Sequence, residues 1–296
     1  MNGELSFSEI LSFMQWPLIA SLILPWLLVY LGLHIVKRGV IFVDLALAQT
    51  AAFGTCMSLV FGYDVHDWQS YAFSLGFTFV GAVLLTFTRS RNQRVPQEAL
   101  IGIVYVVAAA AAILALSKST GGKEELQRSM IGELLVVSQG DVLKTFGLFL
   151  VVGVAHFIFR KKFWAISENA DQAEANGMKV RWWDFLFYML FGLVVTSFVH
   201  IGGVLLIFTY LVVPAVCAMY LANSVWTRFV IGWVIATISS VASVFLTSRK
   251  SLDLPIGATI VCVLGVVLVT IAVISRWLPK PAKSPKSTAE GAHSPH

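Results

Sequence analysis

A chain of 296 residues in which 57% are apolar and only 12% are Asp, Glu, Lys or Arg does not have the make-up of a soluble domain, where about a quarter of residues are charged. With a mean hydropathy of +0.81, it excludes a soluble enzyme, a secreted disulfide scaffold and a disordered protein, and leaves a polytopic membrane protein. The formal net charge of +5 gives no reason to expect nucleic acid as a partner, because the basic residues lie between apolar runs; the expected surroundings are membrane lipid.

Apolar stretches bounded by charges or Gly/Pro clusters predict nine spans: Trp16–Val36, Val40–Gly62, Tyr71–Thr88, Ala99–Leu116, Val142–Phe159, Asp184–Ile201, Val204–Leu221, Trp226–Leu246 and Pro255–Leu278. Residues 1–278 are read as one all-α transmembrane bundle. Met1–Ile10 holds Glu4 and Glu9 and no basic residue, unlike a cleaved signal, so the first span is expected to stay. The run from Asp184 to Leu221 would be about 57 Å long as one helix, too long for a hydrocarbon layer of about 30 Å. His200, Gly202 and Gly203 lie midway and are expected to make a tight reversal.

An N-terminus outside and a C-terminus inside put most Lys and Arg on the cytoplasmic side, including Lys37, Arg38, Arg160, Lys161 and Lys162, as the positive-inside rule requires. The expected location is a bacterial cytoplasmic membrane. The acids lean outward. From Pro279 the chain is mainly Pro, Lys, Ser and Ala, and residues 279–296 are expected to form a disordered cytoplasmic tail. The outer segment Ile131–Val142 is apolar enough to lie along or dip into the membrane surface. The inner loop Lys161–Trp183 contains ENADQAEANGMKV (Glu168–Val180), which favours a short helix that Gly177 can terminate. A docking lever for a partner and a plain connector fit that composition equally.

Ionisable residues inside a membrane are expensive and are functional candidates by default. Asp44 is the one acid placed inside a span rather than at its edge, about 7 Å from the inner end. It is either a cation ligand or gate, or a helix-end acid paired with Lys37 or Arg38. Gln49 lies deeper on the same helix, about 140° around it, and either bonds a neighbouring helix or lines a pathway. His34 and His156 lie near the inner ends of the first and fifth spans. If those helices are neighbours, Asp44, His34 and His156 would suit a transition-metal cation; otherwise the histidines are interfacial. Cys56, Cys217 and Cys262 sit singly in apolar runs and form no metal or disulfide pattern. Pro17, Pro25 and Pro214 are candidate breaks or bends.

No H-E-x-x-H or Walker A loop is present: Gly122–Lys123 is followed by Glu124. No catalytic residue or covalently bound cofactor is expected, and ATP-driven transport would need a separate ATPase.

Five segments in order resemble the permease subunits of ABC-type metal-ion importers for zinc, manganese or iron. They are Arg38–Gly39 running into FVDLALAQTAAFG (Phe42–Gly54), QEALIGIVY (Gln97–Tyr105), IGELLVVSQGDV (Ile131–Val142), GGVLLIFTYLVVPA (Gly202–Ala215) and SLDLPIGATIV (Ser251–Val261). The resemblance implies a fold similar to the cobalamin-importer permeases, a homodimer or paired permease, an ABC ATPase subunit and an extracytoplasmic metal-binding protein. It also implies that residues 161–183 are the coupling loop, with Ala173, Glu174 and Gly177 at its ATPase contact. The candidates for the translocation path, read from their place in the spans, are Asp44, Gln49, His34 and His156, with Asp44 as the candidate metal ligand. Family members often carry an Asp and a His four residues apart on the second span; the matching positions here are Leu45 and Gln49, and a neutral amide is a poor soft-metal ligand, so the expectation is a similar route for a different ion or even a different substrate class. A gradient-driven transporter or channel would instead predict internal repeats and several mid-membrane carboxylates; neither is visible.

Overall fold

The computed structural model describes residues 7–65, 67–88, 95–117, 132, 134, 137–247 and 254–277; the tail from Pro279 lies outside the described residues. Among these, the regular structure is helical and contains no strand. The elements are α1 (Phe7–Arg38), α2 (Val43–Val60), α3 (Trp68–Thr88), α4 (Gln97–Leu116), α5 (Gln139–Glu168), α6 (Ala170–Ala175), α7 (Val180–Leu221), α8 (Val225–Thr247) and α9 (Ile256–Ile274). All except α6 are long and apolar enough to cross a bilayer, and α7 does so twice, which gives nine spans among the described residues.

The two arms of α7 meet at Gly203, the one residue inside it with non-helical dihedrals (φ 71, ψ 167). The rings of Phe198 and Tyr210 are 6.2 Å apart, whereas a straight helix would separate residues twelve apart by about 18 Å. The chain therefore reverses, as its length required. Only glycine accepts that φ without steric cost.

α7 is the hub, packed against α1, α2, α3, α5, α8 and α9. Its Phe187, Phe191, Val195, Phe198, Tyr210 and Leu211 are buried in the main core. α1 comes so close that a Cβ on Gly32 would lie on the carbonyl oxygen of Leu211. Polar side chains bridge helices where small residues bring backbones together: Thr78 meets Thr196 at 2.8 Å, and the Tyr210 hydroxyl meets Ser240 at 2.6 Å.

Of the two readings of the prolines, a break is not what forms: Pro17 and Pro25 lie within α1, and Pro214 within α7, without ending either helix. α5 starts earlier than Val142, at a capping box in which Ser138 accepts from the Asp141 N–H and Asp141 accepts from that of Ser138. At its other end α5 runs past Phe159 through Arg160–Lys162 to Glu168. These long side chains are good helix formers that lay their stems along the helix while the charges reach outward. Much of the expected loop Lys161–Trp183 is therefore the end of α5, then α6, then the first turn of α7. Within the segment Ile131–Val142, the described residues Leu134, Val137 and Val142 are part of the main core.

Candidate functional site

The last turn of α1 carries Lys37 and Arg38, cations at the negative end of a helix dipole. Arg38 donates from Nε to the Ser167 hydroxyl and from Nη1 to Asp184 Oδ1, both at 2.8 Å, and lies 3.9 Å over the Phe187 ring. The ion pair is enclosed, with side-chain exposures of 5% for Arg38 and 1% for Asp184. Removing one partner of such a pair costs about 3–5 kcal/mol, because the other charge is stranded. Lys37 reaches Glu168 at 2.8 Å on the more exposed side. The cations thus pair with Glu168 and Asp184, and the expected pairing of Asp44 with Lys37 or Arg38 is not what forms.

One turn back on α1, His34 Nδ1 lies 2.9 Å from the same Ser167 oxygen. Ser167 has one hydroxyl hydrogen and donates it to the Phe163 carbonyl at 2.8 Å. His34 must then donate from Nδ1, which leaves Nε2 as a bare acceptor. That nitrogen and both ring nitrogens of His156 are buried without a hydrogen-bond partner. The two imidazoles do come together, with ring centroids 6.3 Å apart, since α1 and α5 are neighbours. Tyr30 packs edge-on to both, and Phe187 closes the box. Asp44 does not join them. Among the described residues, no group of three or more His, Cys, Asp or Glu side chains is arranged to hold a metal ion, so the Asp/His/His set is not assembled.

Asp44 sits in the first turn of α2, 1% exposed. Its Oδ1 accepts from the Leu45 N–H at 2.8 Å, and its Oδ2 is buried without a partner. Gln49 is 2% exposed on a helix enclosed on almost every side. Leu45 is only partly buried, so a one-residue shift, about 100° of helix rotation, moves the acid off the face that Leu45 shares with Gln49. A second carboxylate lies nearby, and sequence reasoning passed over it. Glu98, in the first turn of α4, accepts from the Ile41 N–H through Oε1, and its buried Oε2 lacks a partner. It is close enough to Asp44 to interact electrostatically. The available signal was the Glu of QEALIGIVY, an acid at the mouth of an apolar span.

α6 lies at the same end of the bundle as Arg38. Asn169 caps its N-terminus by accepting from the Gln172 N–H at 3.0 Å. Its C-terminus closes with Gly177 N–H to the Glu174 carbonyl at 2.9 Å and Met178 N–H to the Ala173 carbonyl at 3.1 Å. These are the two bonds of a Schellman motif, and they require the left-handed residue that Gly177 supplies at φ 81. Ala173 is turned inward, 5% exposed, onto Ile166 and Val180. Glu174 is on the exposed side with Asp171 and Gln172.

Residues 10–275 match the ABC 3 transport family. The chain belongs to that family. As an ABC 3 member it is a transmembrane permease subunit of an ABC transporter, not itself a catalyst. It is 24% identical over 266 residues to the manganese transport system membrane protein MntC of Halalkalibacterium halodurans, covering 88% of each chain. It is 23% identical over 251 residues to the manganese import system permease protein ScaB of Streptococcus parasanguinis, covering 84% of this chain and 86% of that one. Its fold matches PsaBC from Streptococcus pneumoniae, solved in complex with Fab, with a TM-score of 0.74 at 22% identity over 89% of this chain and 94% of that one. Within the ABC 3 frame, Ser167 and Asp184 are further residues that sequence reasoning missed: each is polar at a span edge, and only the folded chain shows that both meet Arg38.

Proposed function

We propose that this ABC 3 permease imports a divalent transition-metal ion, manganese foremost, and that α6 docks into a separate ATPase subunit. The observation that supports this most directly is α6 itself, a capped helix of six residues that presents Asp171, Gln172 and Glu174 on an exposed face, while Ala173 packs it against Ile166 of α5 and Val180 of α7. Two permeases, identical or paired, would enclose the route. An extracytoplasmic metal-binding protein would deliver the ion to the outer face, with the N-terminus outside and the C-terminus inside a bacterial cytoplasmic membrane.

Asp44 and Gln49 are the side chains we place along that route. Both offer oxygen, and oxygen donors suit manganese better than the softer ions that imidazole and thiolate select. The unpartnered Asp44 Oδ2 gives a passing cation a charge that protein neighbours do not already occupy. The names and functions of the manganese relatives agree with this choice of cargo.

The test is reconstitution in liposomes with the ATPase subunit and radioactive manganese. ATP-dependent uptake is expected, together with loss of ATPase association in Gly177→Arg, whose side chain would occupy the docking surface. Uptake by the permease alone without ATP would overturn the reading in favour of a gradient-driven transporter.

A further inference from the structure

The cytoplasmic ends of α5 and α7 and the whole of α6 share a small apolar core of their own: Ile166, Ala173 and Val180, with Ala170, Met178 and Trp183 packed against them. This makes the ATPase-facing corner one body. α1 contributes nothing to that core. A cavity of about 200 Å³ lies between Lys37 and Arg38 at the end of α1, Glu168 at the end of α5, and Ala170 and Asp171 in the first turn of α6. The cavity itself carries no contact from α6 to α1; beside it, the end of α1 meets α5 and α7 through Lys37 over the Trp164 ring and Arg38 over the Phe187 ring. What spans the gap is polar: Arg38 to Ser167 at the end of α5, Arg38 to Asp184 at the start of α7, Lys37 to Glu168, and His34 to Ser167. Arg38 alone grips both sides of the corner, and its planar fork fixes direction as well as distance.

Beyond Arg38 the connection is short and stiff. Gly39 (φ 68) follows it, with Gly39 N–H bonded to the Val36 carbonyl at 3.2 Å and Val40 N–H to that of Ile35 at 3.4 Å. This closes α1 in the same motif that ends α6. α2 starts at Val43 and carries Asp44 and Gln49, so the end of α1 and the start of α2 form one elbow.

We propose that Arg38 is the positioning residue that carries movement of the α6 corner to this elbow, and so to Asp44 and Gln49. The proposal rests on the docking of α6 to an ATPase. It gives the buried histidine pair a place: His34 reads the same Ser167 hydroxyl that Arg38 holds, and His156 packs against it.

The test uses the permease assembled with its ATPase subunit and binding protein in proteoliposomes, with manganese uptake and ATP hydrolysis measured in the same vesicles. The double variant Arg38→Gln with Asp184→Asn removes both charges and strands neither. The ATPase subunit should still co-purify and ATP should still be hydrolysed, while manganese taken up per ATP falls about tenfold, within the usual range of coupling factors. Arg38→Lys keeps the charge but loses the fork, and its ratio should fall between the two. A ratio equal to that of the unaltered protein, whether or not both rates drop, overturns the proposal. Uptake by the unaltered complex that needs no ATP would instead overturn the function on which it rests.

Discussion

The backbone of Gly132 lies directly against that of Gly202: a Cβ placed on Gly132 would stand 2.2 Å from the Gly202 carbonyl carbon. Gly132 also holds φ 73, and Leu134, two residues on, is 2% exposed in the main core. Gly132 is therefore seated in the reversal between the two arms of α7.

Gly132→Ala meets both constraints at once, a left-handed backbone and a backbone neighbour that has no side chain to move aside. The backbone term alone costs about 1–3 kcal/mol. The thermal midpoint of the detergent-solubilised protein should fall, and an unchanged midpoint would show that residue 132 is not seated there.

Asp44→Ala removes the unpartnered carboxylate oxygen in the first turn of α2. Manganese uptake should drop by about tenfold or more, the scale on which metal sites respond to lost ligand contacts. Co-purification of the ATPase subunit should be unaffected. Normal uptake would remove Asp44 from the route.

Glu98 does two things that two substitutions separate. Glu98→Gln keeps an oxygen for the Ile41 N–H, so stability should hold while the charge beside Asp44 is lost. Glu98→Ala leaves that N–H unpaired at a cost of about 1–3 kcal/mol. Thermal melts of the two variants side by side should rank Ala well below Gln; equal melting would show that the Ile41 bond does not form.

Asn169→Ala deletes the cap of α6, worth about 1 kcal/mol of helix stability. On a six-residue helix this frays the docking surface, so affinity for the ATPase subunit should weaken about fivefold while span packing and melting temperature stay the same. Titration of the purified subunit onto the permease in nanodiscs measures it, and unaltered affinity would exclude α6 from the contact.

The spans, the reversal and the short helix α6 were legible in the sequence because each is a local property. Span number follows from runs of apolar residues matched to bilayer thickness. The break at Gly203 followed from a run too long for one crossing. α6 followed from its Ala, Glu and Gln content and from Gly177. The point where α5 ends was not legible in the same way, because charged residues that leave the membrane can remain helical, as Arg160–Lys162 do.

The tertiary structure alone decided which polar groups meet. Nothing in the order of residues says that Arg38 will hold Asp184 across 146 positions, that His34 and His156 will share an aromatic box, or that Asp44 will stay outside it. In a bilayer every apolar helix is equally content with lipid, so hydropathy fixes that a helix inserts and says nothing of its neighbours. Those are set by close backbone approach and by scattered polar bonds between distant segments. Such contacts exist only once the helices have packed.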